Sequence, residues 1–201
     1  MNTLKNRVAL ITGSSRGIAA AIARLFALHG AAIVVHGRDQ LNLSKVTDDI
    51  VHSGGTARQT GADVTRFSEI EAMRRQIEND LGPVDILVAN AGGAHTLAGP
   101  LEQVSEEGWH AAINGNLTAT FLTIKSFLPG MKERGRGNII TISSAAARWP
   151  HPGSPIPYAA AKAGIQIMTQ ELAAQIGPHG IRVNCIAPET PRWWSAMFVE
   201  W

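Results

Sequence analysis

Tyr158 and Lys162 stand four residues apart in the run Tyr158-Ala159-Ala160-Ala161-Lys162. On a helix that spacing puts both side chains on one face. A cation beside a phenol favours the phenolate and draws a tyrosine pKa down from about 10 toward neutrality. Such a tyrosine can give a proton to a carbonyl oxygen, or take one from an alcohol, while hydride moves at carbon. Any helix can hold the pair by chance, so its weight comes from its surroundings. Ser143 and Ser144 end the apolar run Asn138–Ile142, and strand C-termini are where open α/β sheets build their sites. Near the N-terminus, Thr12-Gly13-Ser14-Ser15-Arg16-Gly17-Ile18-Ala19 follows one apolar run and opens a helical one. Glycines there let backbone approach a pyrophosphate, and the helix N-terminus supplies unpaired N–H donors. The spacing is neither GxGxxG nor a P-loop, so alone it reads equally well as a tight strand-to-helix turn.

The elements that must position these residues alternate. Strands are expected at Arg7–Ile11, Ala32–His36, Thr56–Thr60, Val84–Val88, Asn138–Ile142 and Ile181–Ile186. Helices are expected at Gly17–His29, Gln40–Ser53, Arg66–Asp80, Glu102–Arg134 (read as two helices) and Tyr158–Ile176. The runs VALIT, DILVA and NIITI are apolar almost throughout, as strands covered on both faces require. The fold class is therefore α/β, a doubly wound parallel sheet of the Rossmann type with about six strands. Arg148–Pro157, rich in proline, reads as a loop just ahead of the Tyr158 helix.

The motifs taken in order resemble the short-chain dehydrogenase/reductase family: TGSSRGIA, DV, NAG, NLTATF, ISS, YAAAK and IRVNCIAP, spanning nearly all of residues 5–188. The resemblance implies an oxidoreductase that moves a hydride between a nicotinamide dinucleotide and a small-molecule carbonyl or alcohol. It assigns Tyr158 as acid/base, Lys162 as its cationic partner, Ser144 as hydrogen-bond donor to the reacting oxygen, and Asn116 as the holder of a relay water leading to Lys162. It gives Gly13, Ser15, Arg16, Gly17 and Ile18 to the dinucleotide phosphates. Asp63 and Val64 go to the adenine, and Asn90, Ala91 and Gly92 to the turn beside the cofactor. Tyr158, Lys162 and Pro188 border the nicotinamide half. Ala19 stands where the family usually has its last glycine, and Ala89 replaces the first Asn of NNAG.

The sequence after the second strand reads Val35-His36-Gly37-Arg38-Asp39. An NAD site wants a carboxylate there, whereas NADP carries a phosphate that wants a cation. By the resemblance, Gly37 holds the acidic position. Arg38 with Arg16 could clamp the phosphate, so the expected cofactor is NADP(H) in preference to NAD(H). The bland alternative for Arg38 is a solvated residue paired with Asp39.

Composition narrows the rest. Hydrophobic residues make up 45% and charged residues 17% of 201 residues, with a formal charge of +2, an ordinary globular balance for one domain. An isoelectric point near 9.0 with so small a charge is no nucleic-acid footprint. No apolar run approaches a membrane span, and one cysteine, Cys185, allows no internal disulfide; the expected location is cytoplasmic. Cys185 lies in an apolar run and is expected to be buried. The scattered histidines offer no HExxH, so no metal site is expected, and no GxSxG elbow supports a serine hydrolase. A methyltransferase shares the fold but wants an acid after the second strand.

Residues 1–188 form the expected domain, and residues 189–201 a short apolar tail of it containing Trp193, Trp194, Phe198 and Trp201. The family adds a two-helix lid and a seventh strand, which this sequence leaves no room for. Two functional classes follow: an active NADP(H)-dependent oxidoreductase, or a catalytically impaired remnant that binds dinucleotide or serves as an interaction protein. Family members pair through the long helices holding Asn116–Phe121 and Tyr158–Ile176, so a homodimer is expected, with the tail folded over the exposed edge strand. Arg148, Trp149 and His151 are placed to influence the substrate.

Overall fold

The computed structural model describes residues 3–150 and 153–189. Its strands are β1 (Val8–Ile11), β2 (Ala32–His36), β3 (Thr56–Thr60), β4 (Ile86–Ala89), β5 (Gly137–Ile142) and β6 (Ile181–Ile186). They form one sheet in the order β3-β2-β1-β4-β5-β6, every pair parallel. The helices are α1 (Gly17–Leu28), α2 (Gln40–His52), α3 (Phe67–Leu81), α4 (Glu106–Ile113), α5 (Ala119–Glu133) and α6 (Ile156–Ile176).

Alternate residues of the central strands feed two cores. Leu10, Val34, Leu87 and Ile139 face one layer with Met73 of α3, Phe127 of α5 and Ile176 of α6. Ala9, Ile11, Ile33, Val35 and Val88 face the other with Ala20 of α1 and Leu43 of α2. β1 and β4 are buried at every position, which is why their sequences do not alternate. The methyl of Ala19 is absorbed into the second core at 1% exposure, so the missing family glycine costs no space there.

β6 behaves differently. Ile181 and Val183 are buried, while Arg182, Asn184 and Ile186 are exposed. One face of this strand is therefore uncovered among the described residues. Cys185 shares the covered face with Ile181 and Val183 but lies toward the carboxyl end of the strand, where it is half-buried and free, a correction to the expected buried thiol.

Two boundaries also shift. β4 begins at Ile86, not Val84, because Asp85 turns its carboxylate back to accept the Val8 N–H (3.2 Å), between Arg7 (3.4 Å) and Arg136 (3.5 Å). The segment Glu102–Arg134 does divide into two helices, and the join is a π-helical turn, Asn114–Thr118. The expected tail cover and His151 lie outside the described residues.

Candidate active site

The strand order reverses between β1 and β4, and the crevice outside their carboxyl ends is where such sheets bind ligands. A pocket of about 280 Å³ lies there. Of the residues singled out from the sequence, Gly13, Ser15, Arg16, Arg38, Asp63, Val64, Ala91 and Gly92 line it. A larger hollow of about 750 Å³ between α3 and α5 contains none of them, so the site is the smaller one.

The turn from β1 to α1 is built for close approach. Gly13 has φ +70°, and a Cβ there would come within 3.0 Å of the Ala91 Cα. α1 has no side-chain cap and no acid in its first turn. The unpaired N–H groups of Gly17, Ile18 and Ala19, which any helix start leaves, face no competing anion of their own helix. Thr12 ties the two sides of the crevice: its Oγ1 accepts the N–H of Asn90 (2.9 Å) and of Ala91 (3.0 Å) and donates to Val88 O (3.3 Å). Asn90 returns a bond from Nδ2 to Thr12 O (3.0 Å).

Arg16 and Arg38 are both exposed on the pocket rim, and among the described residues neither enters an ion pair. Asp39 does not pair with Arg38. Its carboxylate caps α2, accepting from Asn42 N (3.1 Å) and Nδ2 (2.5 Å), and the Asn42 bonds hold it below the usual carboxylate range. Asp63 is likewise held low, chiefly by Thr65 Oγ1 (2.7 Å) and also by Thr65 N (2.9 Å). The two guanidiniums are therefore free for a ligand.

Beyond β4 the chain passes Gly92, whose absent Cβ would sit 2.4 Å from Asn116 Oδ1. Asn116 is fully buried in the π-turn. Its Nδ2 donates to Gly93 O (2.8 Å) and Ala112 O (2.8 Å), and its Oδ1 accepts from Gly93 N (3.2 Å). The asparagine thus staples the loop after β4 to the α4–α5 helix pair.

The ends of β5 and β6 meet the start of α6. Ser144 caps a short 3-10 turn (Ala145–Ala147), its Oγ accepting from Ala146 N (3.2 Å). Ala145 N donates to Pro188 O (2.9 Å), which pins the chain after β6 against the serine loop. Ser143 points inward, donating to Lys162 O (2.8 Å) and accepting from Gln166 Nε2 (3.2 Å). Pro157 sits in the first turn of α6, where its missing N–H costs nothing. Tyr158 follows, half-buried, and Lys162 lies one turn further on at 4% exposure. Lys162 Nζ is 5.7 Å from the Tyr158 ring centroid and donates to Ile142 O (2.8 Å). Burial pulls the amine down from 10.5 to about 8, with Cys185 acting in the opposite sense.

The sequence reading gave no role to Thr12, Ser14 and His36, which knit the pocket floor: Thr12 accepts from Asn90 and Ala91, and His36 accepts from Gly13 and donates its own N–H to Ser14. His36 and Thr12 both end apolar strands, and a polar residue in that place was the available signal. His95, with φ +59°, also lines the pocket. Among the described residues no helix is long and apolar enough to cross a membrane, and no cluster of acids, histidines and cysteines could hold a metal.

The family model for short chain dehydrogenases matches residues 7–193. The chain is 38% identical over 193 residues to a subunit of a hydroxy(phenyl)methylsuccinyl-CoA dehydrogenase from Thauera aromatica, covering 94% of this chain and 76% of that one. It is 36% identical over 185 residues to dehydrogenase/reductase SDR family member 4 of Sus scrofa, covering 92% of this chain but 66% of the relative. A metagenomic short-chain oxidoreductase solved in complex with NADP superposes with a TM-score of 0.86 at 37% identity, over 94% of this chain and 85% of that one. On the motif order, the parallel six-stranded sheet and these likenesses together, the chain belongs to the short-chain dehydrogenase family of oxidoreductases.

Proposed function

We propose that the chain is an NADP(H)-dependent oxidoreductase that interconverts a small-molecule carbonyl and a secondary alcohol. The observation that carries the reading is the buried Lys162 amine, 5.7 Å from the only tyrosine ring, at the β5 end that carries Ser144. The pocket fits a nicotinamide dinucleotide: a glycine turn without a Cβ, an uncapped helix N-terminus and two rim arginines lie together.

When bound, the nicotinamide supplies or accepts the hydride. Tyr158 gives a proton to the carbonyl oxygen in reduction and takes it back in oxidation. Lys162 is an ammonium at neutral pH, and its charge, 5.7 Å from the Tyr158 ring, offsets the negative charge that develops as the proton leaves. Ser144 Oγ accepts the Ala146 N–H, so its own proton remains for the reacting oxygen. Asn116 acts through its main chain, because its side-chain groups are already taken. Its carbonyl accepts from Ala119 N–H and keeps a second lone pair for a water leading toward Lys162. Arg16 and Arg38 hold the 2′-phosphate that distinguishes NADP from NAD. Asp63 and Val64 border the adenine, and Asn90, Ala91, Gly92 and Pro188 the rest of the cofactor.

The likeness to the NADP complex supports this cofactor, and Thauera and Sus scrofa relatives named as dehydrogenases support the reaction class. The assembly we propose is a homodimer through α5 and α6, on which Phe121 and Ile167 are 46% and 55% exposed. Fluorescence titration with NADPH and NADH, followed by a carbonyl panel, tests the function. Failure to bind either dinucleotide overturns it. Binding without turnover of any carbonyl or alcohol favours the second reading, an impaired dinucleotide-binding protein.

A further inference from the structure

The floor of the pocket holds a titratable side chain that the proposed chemistry leaves unused. His36 ends β2 at 2% exposure and lines the pocket. Its backbone N–H donates to Ser14 Oγ (3.0 Å), and its carbonyl accepts from Ser14 N (2.8 Å). Its imidazole reaches further. Gly13 N–H donates to Nδ1 (3.1 Å), and Nε2 lies 3.0 Å from Ala62 O. A backbone N–H can only donate and a carbonyl can only accept. One state satisfies both, the neutral ring with its proton on Nε2. A protonated ring would set Nδ1–H against Gly13 N–H, donor to donor.

One ring thus bridges three segments that line the pocket: the glycine turn, the end of β2 with Arg38, and the end of β3 with Asp63. Gly13 is packed against Ala91, so its placement also bears on the turn after β4.

We propose that His36 is the positioning residue of this pocket: as a neutral imidazole it fixes the glycine turn relative to the end of β3, and protonation releases the turn. The proposal rests on the reading of the pocket as a dinucleotide site. Burial holds the imidazole below its ordinary 6.5, the Ala62 bond opposes this, and Arg38 adds to the lowering. The charged or titratable groups around the same pocket are Arg16 from the glycine turn, Arg38 and Asp39 after β2, Asp63 after β3, and His95 after β4. The pocket is therefore intact above about pH 6.5 and loosens as pH falls through the folded pKa of His36.

Long-range 1H–15N NMR of the histidines in the ligand-free wild-type chain reads the ring directly. The expected result near neutral pH is an unprotonated Nδ1 and a protonated Nε2 for His36; the other tautomer, or a cation, overturns the proposal. His36→Asn keeps an acceptor near the Nδ1 position, His36→Gln keeps a donor near Nε2, and neither titrates. With folding checked by circular dichroism, each variant should bind NADPH and NADH about threefold to tenfold more weakly near pH 8. The 2′-phosphate of NADPH titrates near pH 6, so NADH carries the pH comparison. Wild-type NADH affinity should hold above about pH 6.5 and fall as pH drops through the lowered pKa of His36, and both variants should lose that fall. Variants with wild-type affinity and a wild-type pH profile overturn the proposal alone. A wild-type chain that binds neither dinucleotide overturns the pocket reading and this proposal with it.

Discussion

Replacing Lys162 with methionine should stabilise the protein while abolishing its chemistry. The side chain keeps its length and loses its charge. In the folded chain burial lowers the amine from 10.5 to about 8, which at about 1.4 kcal/mol per pH unit amounts to about 3 kcal/mol spent on keeping the cation buried at neutral pH. Loss of the bond from the charged Nζ to Ile142 O returns about 2 kcal/mol of that gain. A net stabilisation of about 1 kcal/mol raises Tm by roughly 2–4 °C in a chain of this size. The effect has a pH signature. Between about 8 and 10.5 the unfolded chain binds the Lys162 proton and the folded chain does not. Wild-type stability from this group is therefore fully present above 10.5 and is lost as pH falls through about 8. The advantage of Lys162→Met should accordingly be largest near pH 7 and shrink as pH approaches about 10. Thermal unfolding followed by circular dichroism at both ends of that range decides it. A variant less stable than wild type at neutral pH, or an advantage independent of pH, would refute the reasoning. Turnover in the variant should fall about 100-fold or more, because no cation then offsets the charge that develops at Tyr158 during proton transfer.

The rim arginines make a sharper cofactor prediction. Arg16→Ala or Arg38→Ala should each weaken NADPH binding by about 10-fold to 100-fold, from charge-assisted bonds worth about 1.5–3 kcal/mol, and leave NADH binding nearly unchanged. Equal losses for both dinucleotides in a fluorescence titration would place the guanidiniums elsewhere. For the assembly, light scattering coupled to size exclusion should report a dimer that Phe121→Glu and Ile167→Glu together convert to monomer; a dimer that survives both charges would exclude the α5/α6 face.

Most of the fold was legible because the central strands are buried on both faces, and unbroken apolar runs such as VALIT admit few other readings. The departures have local causes. Asp85 ends the reach of β4 by binding Val8 N–H across the sheet, a tertiary contact that no apolar count reveals. The π-turn at Asn114–Thr118 is bound up with the bonds Asn116 makes to Gly93 and Ala112, and helical periodicity runs smoothly through it. Cys185 looked buried from its neighbours, yet it lies near the carboxyl end of β6, where burial gives out after Val183. In the candidate site, the residues that could be singled out from the sequence were those carried by short motifs: the glycine turn, Asn90–Gly92 and the Tyr158–Lys162 pair. Residues that work by joining motifs could not be. Thr12 links β1 to the turn after β4, and His36 links the glycine turn to β3. Their partners lie more than twenty residues away, beyond the reach of any local spacing rule.

In the proposed reaction, Tyr158 exchanges a proton with a carbonyl oxygen while NADPH is consumed. The most direct test follows NADPH oxidation across a panel of ketones and aldehydes in the wild-type chain and in Tyr158→Phe, with dinucleotide binding measured in parallel. Turnover is expected in the wild type, with a loss of about 100-fold or more in the variant and NADPH affinity within about threefold of wild type, because the phenol is not part of the phosphate grip. Undiminished turnover in Tyr158→Phe would remove Tyr158 from the chemistry.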